Sequence, residues 1–396
     1  MKSYFKIFIL IIFSSAIFFC NVSPRYVEIK SRKFIQNISD ETSSYYSYPN
    51  LTINLNKTAL VLIDIWDNEP RINELIKYRL VPLLKLARKK NITIIHAPSQ
   101  NFNIHPLCRP MPGEIVVNGY KNIDNELKLR EINTILYAGF DTYKCVLDKP
   151  MGIFSTKERN PQINLLLIRD CTLSGNVISQ TVATNMIEKH FGHSTSLENL
   201  YYALDETPPD IILNDLTIPE SSISENQIPE NATFSSNNSA LVLTGTGAID
   251  SYPSGSFKDR ISPLQNDIEN LIDFARNNNL LIIHAPNEYG NLNSRTPLSN
   301  EPIIYSKDSF INTIENNNIK NLFYAGFAVN EDILFGNAGI VSLYIRGRYE
   351  NIPVPGYYII NNCTFAFEMP ETLSGEYVKE VSLTYRNIQT LTYNIF

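Results

Sequence analysis

The stretch ALVLID, residues 59–64, decides the fold, because it returns as ALVLTG at residues 240–245. Two further segments repeat in the same order: IIHAP at 94–98 and 282–286, and YAGF at 137–140 and 324–327. Between these segments, residues 114–153 align with residues 301–340 without a gap. Self-similarity at this scale predicts two copies of one domain, which we call copy one and copy two.

Each repeated segment is short, apolar and rich in β-branched residues, which is typical of a strand buried on both faces of a parallel sheet. Helical patterns lie between the strands, for example at residues 81–90 and 266–279. The alternation predicts an α/β fold of two tandem Rossmann-like domains, each a mostly parallel sheet flanked by helices. Ligands bind such sheets at the carboxyl ends of the strands, where Asp64, His96 and the segment after Gly139 are expected.

The repeat divides the chain into five parts: a signal segment at 1–20, a tether at 21–55, domain 1 at 56–205, a linker at 206–236 and domain 2 at 237–396. The tether is rich in Ser, Tyr and Asn and shows no periodicity. The linker contains four prolines among Ser, Glu and Asn residues, a composition typical of connecting segments.

The first twenty residues predict export, because a basic start is followed by an uncharged apolar run that ends at Phe19. The run is too short for a comfortable membrane span. Three fates remain open: lipidation of Cys20 as in a bacterial lipoprotein, cleavage and secretion, or retention as a signal-anchor. Bulky Phe18 and Phe19 count against the lipoprotein. We expect a periplasmic, secreted or membrane-anchored protein that meets a membrane only through this segment or its lipid.

The formal net charge is −6, and no run of Lys and Arg suggests a face that follows a phosphate backbone. Nucleic acid is therefore not an expected partner, and a small-molecule substrate is. A repeated domain predicts either an intramolecular pseudo-dimer or a homo-oligomer. The cysteines beyond the signal show no disulfide framework spacing, so buried thiols are expected for Cys171 and Cys363.

Two chemically reactive residues fall at strand ends in copy one. Asp64 closes the first strand, and Cys145 lies in GFDTYKCV (139–146), where a strand ends and a helix is expected to begin. A helix N-terminus lowers a thiol pKa, and its N–H groups can receive an oxyanion. A nearby carboxylate can take the thiol proton and return it to a leaving group. A lone cysteine is more often only a small buried apolar residue.

The segments ALVLID, IIHAP and PGEIVV (112–117), with the G-x-x-T-x-x-C pattern from Gly139 to Cys145, resemble those of the isochorismatase-like cysteine hydrolases. The resemblance spans most of each copy. It implies hydrolysis of amide, imide or carbamoyl C–N bonds, or of vinyl ethers, by an Asp–Lys–Cys triad on an isochorismatase-like fold. The implied nucleophile is Cys145, and the implied general acid/base is Asp64.

The resemblance also assigns roles to the turn before the nucleophile. The backbone around Lys144 and Cys145 is the implied oxyanion hole, and Thr142 and Asp141 shape the turn. A cis peptide is expected between Asp141 and Thr142. One residue departs from the pattern, because no lysine occurs at 117–120, after PGEIVV.

Neither nearby lysine fits the missing position. Lys121 is displaced along the chain, and Lys144 should not face Asp64, since consecutive side chains on a helix point in different directions. Two functions are therefore weighed. The first is an exported cysteine hydrolase that cleaves a small amide- or imide-type C–N bond through a Cys145 thioester. The alternative is a catalytically inactive binding protein, a pseudoenzyme.

Copy two retains the strands and loses the chemistry. Gly245 stands in place of Asp64, and Asp332 stands in place of Cys145. His284 nevertheless matches His96, so a structural hydrogen bond is the favoured role of that histidine.

Three residues are candidates for the substrate pocket of copy one: Trp66, His96 and Arg109. Trp66 forms either a wall of the pocket or ordinary loop packing. Arg109 either binds an anionic substrate group or, as the favoured interpretation, is a solvated loop arginine. Its neighbour Cys108 resolves an oxidised Cys145 only if the loop reaches it.

No cofactor and no metal are predicted. Nicotinamidases in the resembling superfamily bind a metal, and Asp64, His96 and His105 are the residues here that could serve as ligands. The Asp-x-His motif of those enzymes is absent from this sequence.

Overall fold

A computed structural model describes residues 25–37, 39, 44–67, 72–99, 103–117, 122–210, 234–247, 249–287, 290, 296–367, 378–379 and 388–391. The predicted signal segment with Cys20, the displaced Lys121 and residues 211–233 of the predicted linker lie outside these ranges. Within the described ranges, no helix is both long enough and apolar enough to cross a bilayer.

The strands are, in chain order, β1 (Tyr26–Lys30), β2 (Lys33–Ile35), β3 (Tyr45–Ser47), β4 (Asn50–Asn54), β5 (Thr58–Ile63), β6 (Thr93–Ala97), β7 (Ile115–Val116), β8 (Thr134–Phe140), β9 (Asn164–Leu173), β10 (His193–Thr195), β11 (Ser239–Thr244), β12 (Leu281–Ala285), β13 (Asn321–Phe327), β14 (Gly356–Phe365) and β15 (Gln389–Leu391). The α-helices are α1 (Asn73–Leu75), α2 (Val81–Lys89), α3 (Asp124–Leu129), α4 (Ile153–Arg159), α5 (Val177–Met186), α6 (Leu197–Ala203), α7 (Ser256–Asn277), α8 (Lys307–Asn316) and α9 (Ile340–Tyr349). Wider π-helical turns occur at Ile76–Leu80, Thr142–Val146, Ile187–Phe191 and Val329–Ile333.

Each copy contains one parallel sheet, as the sequence predicts. The order in copy one is β10-β9-β8-β5-β6-β7, and the order in copy two, read the same way, is β15-β14-β13-β11-β12. Repeated segments thus occupy equivalent places in the two sheets. Every residue of β5 and β8 is buried, because helices cover both faces of the sheet. The predicted α/β fold class is confirmed.

The strand order reverses beside β5. The chain leaves β5 for β6 on one side and later returns to β8 on the other side, which opens a crevice at the carboxyl ends of these strands. Gly139 has φ of +124°, and a Cβ on it would lie 1.9 Å from the carbonyl oxygen of Ile63. Only glycine fits this approach of β8 to β5, and the segment carrying Cys145 is thereby brought beside the end of β5.

The prediction of a free tether at residues 21–55 is wrong for the part that the structure describes. β1 pairs with β4 and β2 pairs with β3, both antiparallel. Ile29 and Ile53 are buried in a core of copy one, and Arg32 donates to Glu188 at 2.9 Å. The sequence shows no period here because these strands are short and bury at most two side chains each.

The two copies share one apolar core. Alternate residues of β5 face it, as do those of β11, while Leu60 and Leu62 face a separate core of copy one. The ring of Phe335 in copy two lies 5.8 Å from that of Phe154 and 5.2 Å from that of Phe191, both in copy one. The copies therefore contact each other within the chain through packed aromatic side chains.

Candidate active site

Asp64 lies at the carboxyl end of β5 and is fully buried. Its carboxylate accepts hydrogen bonds from the backbone N–H of Ser99 at 2.6 Å and from the Ser99 hydroxyl at 3.1 Å. Its φ is +48°, a left-handed conformation that is uncommon outside glycine and least unfavourable for Asp and Asn. Gly245 takes nearly the same φ, +58°, in copy two. The turn is thus retained where the carboxylate has been lost.

Lys149 bonds to Asp64, and the sequence analysis missed it. Its ammonium donates to Asp64 Oδ2 and, at 2.6 Å, to Ser99 Oγ, and its side chain is 1% exposed. The chain supplies this lysine four residues after Cys145, not after β7. The N–H of Lys149 bonds the Cys145 carbonyl at 3.4 Å, so both side chains lie on one face of a helical turn. A Cys-x-x-x-Lys spacing was the available signal.

Cys145 lies half-buried in the turn Thr142–Val146, and its thiol is hydrogen-bonded to Asp64. Burial raises the pKa of this thiol, and the charge of Asp64 raises it further. Lys149 and the backbone N–H of Asp141 act in the opposite direction. The prediction that a helix N-terminus lowers this pKa is wrong, because the turn is only five residues long and a carboxylate lies beside the sulfur. Cys145 is therefore a neutral thiol at rest.

The turn before Cys145 differs in detail from the prediction. The cis peptide joins Phe140 to Asp141, one bond earlier than expected, and copy two has one between Phe327 and Ala328. Asp141 accepts from the N–H of Tyr143 at 2.9 Å, so its side chain caps the turn. This hydrogen bond places the Asp141 side chain in the turn itself.

The other two turn residues also bond within the protein. The Thr142 hydroxyl donates to Gln180 Oε1 at 2.7 Å. The N–H of Lys144 donates to the Asp141 carbonyl at 3.2 Å, because the turn closes hydrogen bonds back onto the residue that precedes it. The oxyanion hole implied for the backbone around Lys144 and Cys145 stays a prediction.

His96 makes the structural hydrogen bond that the sequence analysis favours for it over a place in the substrate pocket. The ring is 1% exposed, and its Nε2 lies 2.8 Å from Glu114 Oε2. Arg88 donates to Glu114 Oε1 at 2.7 Å and to Glu114 Oε2 at 3.1 Å. Burial lowers the pKa of His96, so the ring is neutral near pH 7. Copy two contains the same arrangement, with His284 and Glu301 2.9 Å apart. The histidine joins a strand to a helix in each copy.

The two remaining candidates for the substrate pocket, Trp66 and Arg109, differ in their burial. Trp66 is half-buried beside the site, and its backbone N–H donates to the Asp64 carbonyl at 3.0 Å. Arg109 is exposed, as expected for a solvated loop arginine. Its carbonyl oxygen accepts from Arg88 at 3.1 Å, and its contact with a substrate stays a prediction. Cys108 is buried in the core on the other face of the sheet from Cys145. It is therefore not placed to resolve an oxidised Cys145.

Among the described residues, no group of three or more His, Cys, Asp or Glu side chains is arranged to hold a metal ion. The His105 ring accepts from the N–H of Leu107 at 3.2 Å, and His96 is bonded to Glu114. Neither imidazole is directed at Asp64.

Copy two lacks all three of the residues Asp64, Lys149 and Cys145. The gap-free alignment places Gly336 opposite Lys149 and Asp332 opposite Cys145, while Gly245 replaces Asp64. Loss of all three together is expected for groups that act as one unit.

Copy two also borders the site of copy one. Tyr349, at the end of α9, is 7% exposed and belongs to the shared core against which Cys145 packs. Burial raises the pKa of its hydroxyl. Its ring packs edge-on against Tyr344, with centroids 5.9 Å apart.

Solved structures with which parts of the chain align include the following three. A cysteine hydrolase from Pseudomonas syringae pv. phaseolicola shares 14% identity over 39% of this chain and 94% of its own, with a TM-score of 0.34. The YcaC gene product of Escherichia coli, described as an octameric hydrolase of unknown specificity, shares 20% identity over 40% and 84%, with a TM-score of 0.34. The nicotinamidase SaPncA of Staphylococcus aureus shares 15% identity over 35% and 97%, with a TM-score of 0.31.

These structures carry names from the class that the sequence motifs resemble, and each aligns with a share of this chain equal to about one copy. No protein-family model matches the sequence, and no curated protein matches it.

Proposed function

We propose that copy one is a cysteine hydrolase that cleaves a small amide- or imide-type C–N bond. The observation that carries the proposal is the hydrogen-bonded group of Asp64, Lys149 and Ser99 beside Cys145. A carboxylate, a buried ammonium and a thiol at the carboxyl ends of central parallel strands make a nucleophile with its own base. The same group favours the hydrolase over the inactive binding protein, because the missing cation is supplied from a different position.

The first half of the reaction forms a thioester. Asp64 accepts the proton of the Cys145 thiol, and the sulfur attacks the carbonyl carbon of the substrate. When the tetrahedral intermediate collapses, the C–N bond breaks and the nitrogen takes the proton that Asp64 holds. An amine or ammonia leaves, and the acyl group remains on Cys145.

The second half of the reaction hydrolyses the thioester and releases the carboxylic acid product. A water molecule gives a proton to Asp64, and its oxygen attacks the thioester carbon. The C–S bond breaks, the sulfur regains a proton from Asp64, and the product is a carboxylic acid. The sum is addition of one water across the C–N bond, with the enzyme restored.

Lys149 has two roles in this scheme. While Asp64 is ionised, the ammonium balances its charge in the interior, where an unpaired carboxylate is strongly disfavoured. When Asp64 carries the proton, the same ammonium is the nearest counter-charge for the Cys145 thiolate, whose pKa it lowers. Ser99 holds both partners in place through its hydroxyl.

The test uses the purified full chain with a panel of small amides, imides and carbamoyl compounds. We expect ammonia or amine release and, after rapid quenching, an acyl adduct on Cys145 seen by mass spectrometry. Cys145→Ala and Lys149→Met should abolish both, while Lys128→Met, on the exposed side of α3, should not. If no compound is turned over and iodoacetamide labels Cys145 no faster than Cys171, the proposal fails.

We also propose that the chain is exported by residues 1–20, from the basic start and apolar run of that segment. The mass of the mature N-terminus, measured on material from the membrane and secreted fractions, separates the three fates. Lipidated Cys20 gives a membrane-bound form that Cys20→Ser releases. An intact Met1 in the cytoplasmic fraction would overturn export.

A further inference from the structure

A cavity lies at the amino ends of β9 and β10, at the opposite end of the copy-one sheet from Asp64 and Cys145. Its volume is about 210 Å³, which is below the ~300 Å³ at which sites for drug-sized ligands begin. The cavity is therefore of a size for a ligand of a few heavy atoms. Its position separates it from the hydrolase site proposed above.

Three basic side chains from three different elements line this cavity. Lys33 belongs to β2, Lys157 to α4 and His193 to β10. All three residues are partly buried. Because they are far apart in sequence, it is the packing of the N-terminal strands on copy one that brings them together.

The charges of these three side chains act on one another. Burial lowers the pKa of Lys157, and the charge of Lys33 lowers it further. Burial also lowers the pKa of His193, and the charges of Lys33 and Lys157 act in the same direction. A carboxylate bonded to Lys157 or to His193 would instead raise its pKa. The three groups therefore give the cavity a positive character.

Both ammonium groups have donors to spare. Lys157 Nζ donates one hydrogen bond, to the Ile163 carbonyl at 3.0 Å, and an ammonium group has three donors. Within the described part of the chain, the Lys33 ammonium has neither a hydrogen bond nor an ion pair. Several N–H donors thus remain for a ligand between the two lysines.

The hydrogen bonds of His193 fix which ring nitrogen a ligand can reach. The Ser31 hydroxyl donates its proton to the Pro49 carbonyl at 2.8 Å. It therefore accepts from His193 Nδ1, which lies 3.3 Å away. Nε2 is the remaining ring nitrogen, and it becomes a donor when the imidazole is protonated.

Two further basic residues border the cavity and do not add to its charge. Lys189 pairs with Glu331 of copy two and also donates to Gln36. Burial lowers the pKa of His190 to about 3, so its ring is neutral near pH 7.

We propose that this cavity binds a small divalent oxyanion of the phosphate class, either as the free ion or as the head of a small phosphate monoester. The ammonium groups of Lys33 and Lys157 supply the counter-charge and donate to its oxygens, and His193 Nε2 donates to a further oxygen. Lysine suits such a ligand because its ammonium is a compact charge with rotatable donors. This anion site is independent of the hydrolase activity proposed for copy one.

The experiment is calorimetric titration of the full chain at fixed ionic strength, in a buffer without phosphate or sulfate. The probes are sulfate, inorganic phosphate, glycerol phosphate, acetate and chloride. We expect sulfate and phosphate to bind at one site per chain, about tenfold or more tightly than acetate and chloride, because two ammonium groups attract two negative charges more strongly than one.

Glycerol phosphate separates the two sources of the anion. Binding as tight as that of inorganic phosphate supports a monoester, and binding of the inorganic ions alone supports the free ion. Absence of saturable binding for both sulfate and phosphate, or acetate binding as tightly as sulfate, would overturn the proposal.

Variants assign the binding to this cavity. Lys33→Met and Lys157→Met should each weaken sulfate binding about tenfold or more, because each removes one of the two charges. His193→Gln should weaken it severalfold. Lys128→Met, which removes an exposed lysine outside the cavity, should leave it unchanged. Unchanged affinity in both lysine variants would place the anion elsewhere and overturn the proposal. If one lysine variant does not fold, the other decides.

Discussion

The ammonium of Lys149 donates to the carboxylate of Asp64 across 85 residues of chain, and both side chains are almost completely buried. Each of these charges would be strongly disfavoured alone in the interior. Their pairing, with Ser99 bonded to both, explains how copy one keeps an ionised acid beside Cys145. It also accounts for the joint absence of Asp, Lys and Cys from the aligned positions of copy two.

Lys149→Met is expected to cost about 3–5 kcal/mol in the free energy of unfolding, because it leaves a buried carboxylate without its partner. Turnover should be lost as well. Urea denaturation measures the first effect and the amide assay measures the second. The double variant Asp64→Asn with Lys149→Met should be more stable than the two single effects added together predict. A Lys149→Met protein as stable as Lys128→Met would contradict the buried pair.

The Asp64→Asn variant should make the Cys145 thiol more reactive at a given pH and at the same time abolish turnover. Burial and then Asp64 raise the pKa of Cys145, whereas Lys149 lowers it. Removing the carboxylate charge should therefore shift the pH midpoint of iodoacetamide labelling of Cys145 to lower pH, while turnover disappears with the base. Mass spectrometry of the labelled peptide measures the midpoint. Asp308→Asn, exposed in copy two, is the control, and an unchanged or higher midpoint in Asp64→Asn would argue against the contact.

The sheet was predictable from the sequence and part of the site was not. Parallel strands that are buried on both faces can be identified in the sequence as continuous apolar runs, as in β5 and β8. Because these runs repeat, the same strand order is expected in both copies. The position of Asp64 and Cys145 at strand ends follows from the same pattern. Lys149 was missed because the expected position after β7 was taken from the resemblance. Helical spacing from Cys145 would have pointed to it.

The other wrong predictions concern features that depend on contacts between parts of the chain that are distant in sequence. No local pattern shows that β1 to β4 pair and pack on copy one, since each strand buries so little. The raised pKa of Cys145 depends on burial and on a carboxylate that is distant in sequence. His96 was placed at a strand end correctly, but its partner Glu114 could not be known from spacing alone.

Ser99→Ala tests the residue that joins Lys149 to Asp64. The variant removes the hydroxyl that accepts from Lys149 and donates to Asp64, and it keeps the backbone N–H bond to Asp64. We expect a loss of about 1–2 kcal/mol in the free energy of unfolding and a fall in kcat of about tenfold or more, because a loosened ammonium stabilises the thiolate less. The control is Ser251→Ala, exposed in copy two. An unchanged kcat in Ser99→Ala would show that the hydroxyl does not position Lys149.

Stability in acid should report on the Arg88–Glu114–His96 network. Burial opposes ionisation of Glu114, but hydrogen bonds from Arg88, the Met111 backbone and His96 outweigh it and lower its pKa from 4.5 to about 2. A depressed folded-state pKa contributes stability that is present above about pH 4.5 and is lost as the pH falls toward 2. His96 acts in the same direction, since burial lowers its pKa below 6.5 and protonation there favours the unfolded chain.

Glu114→Gln should therefore be less stable than the unmodified protein at pH 7, and the difference should shrink between pH 4.5 and pH 2. The remaining slope in that range comes partly from Glu301 in copy two, whose pKa is also lowered to about 2. Thermal unfolding followed by circular dichroism at a series of pH values measures both quantities. Glu126→Gln, in a partly exposed pair on α3, should follow the unmodified protein throughout. A constant gap between Glu114→Gln and the unmodified protein down to pH 2 would mean that Glu114 is not the group whose protonation weakens copy one.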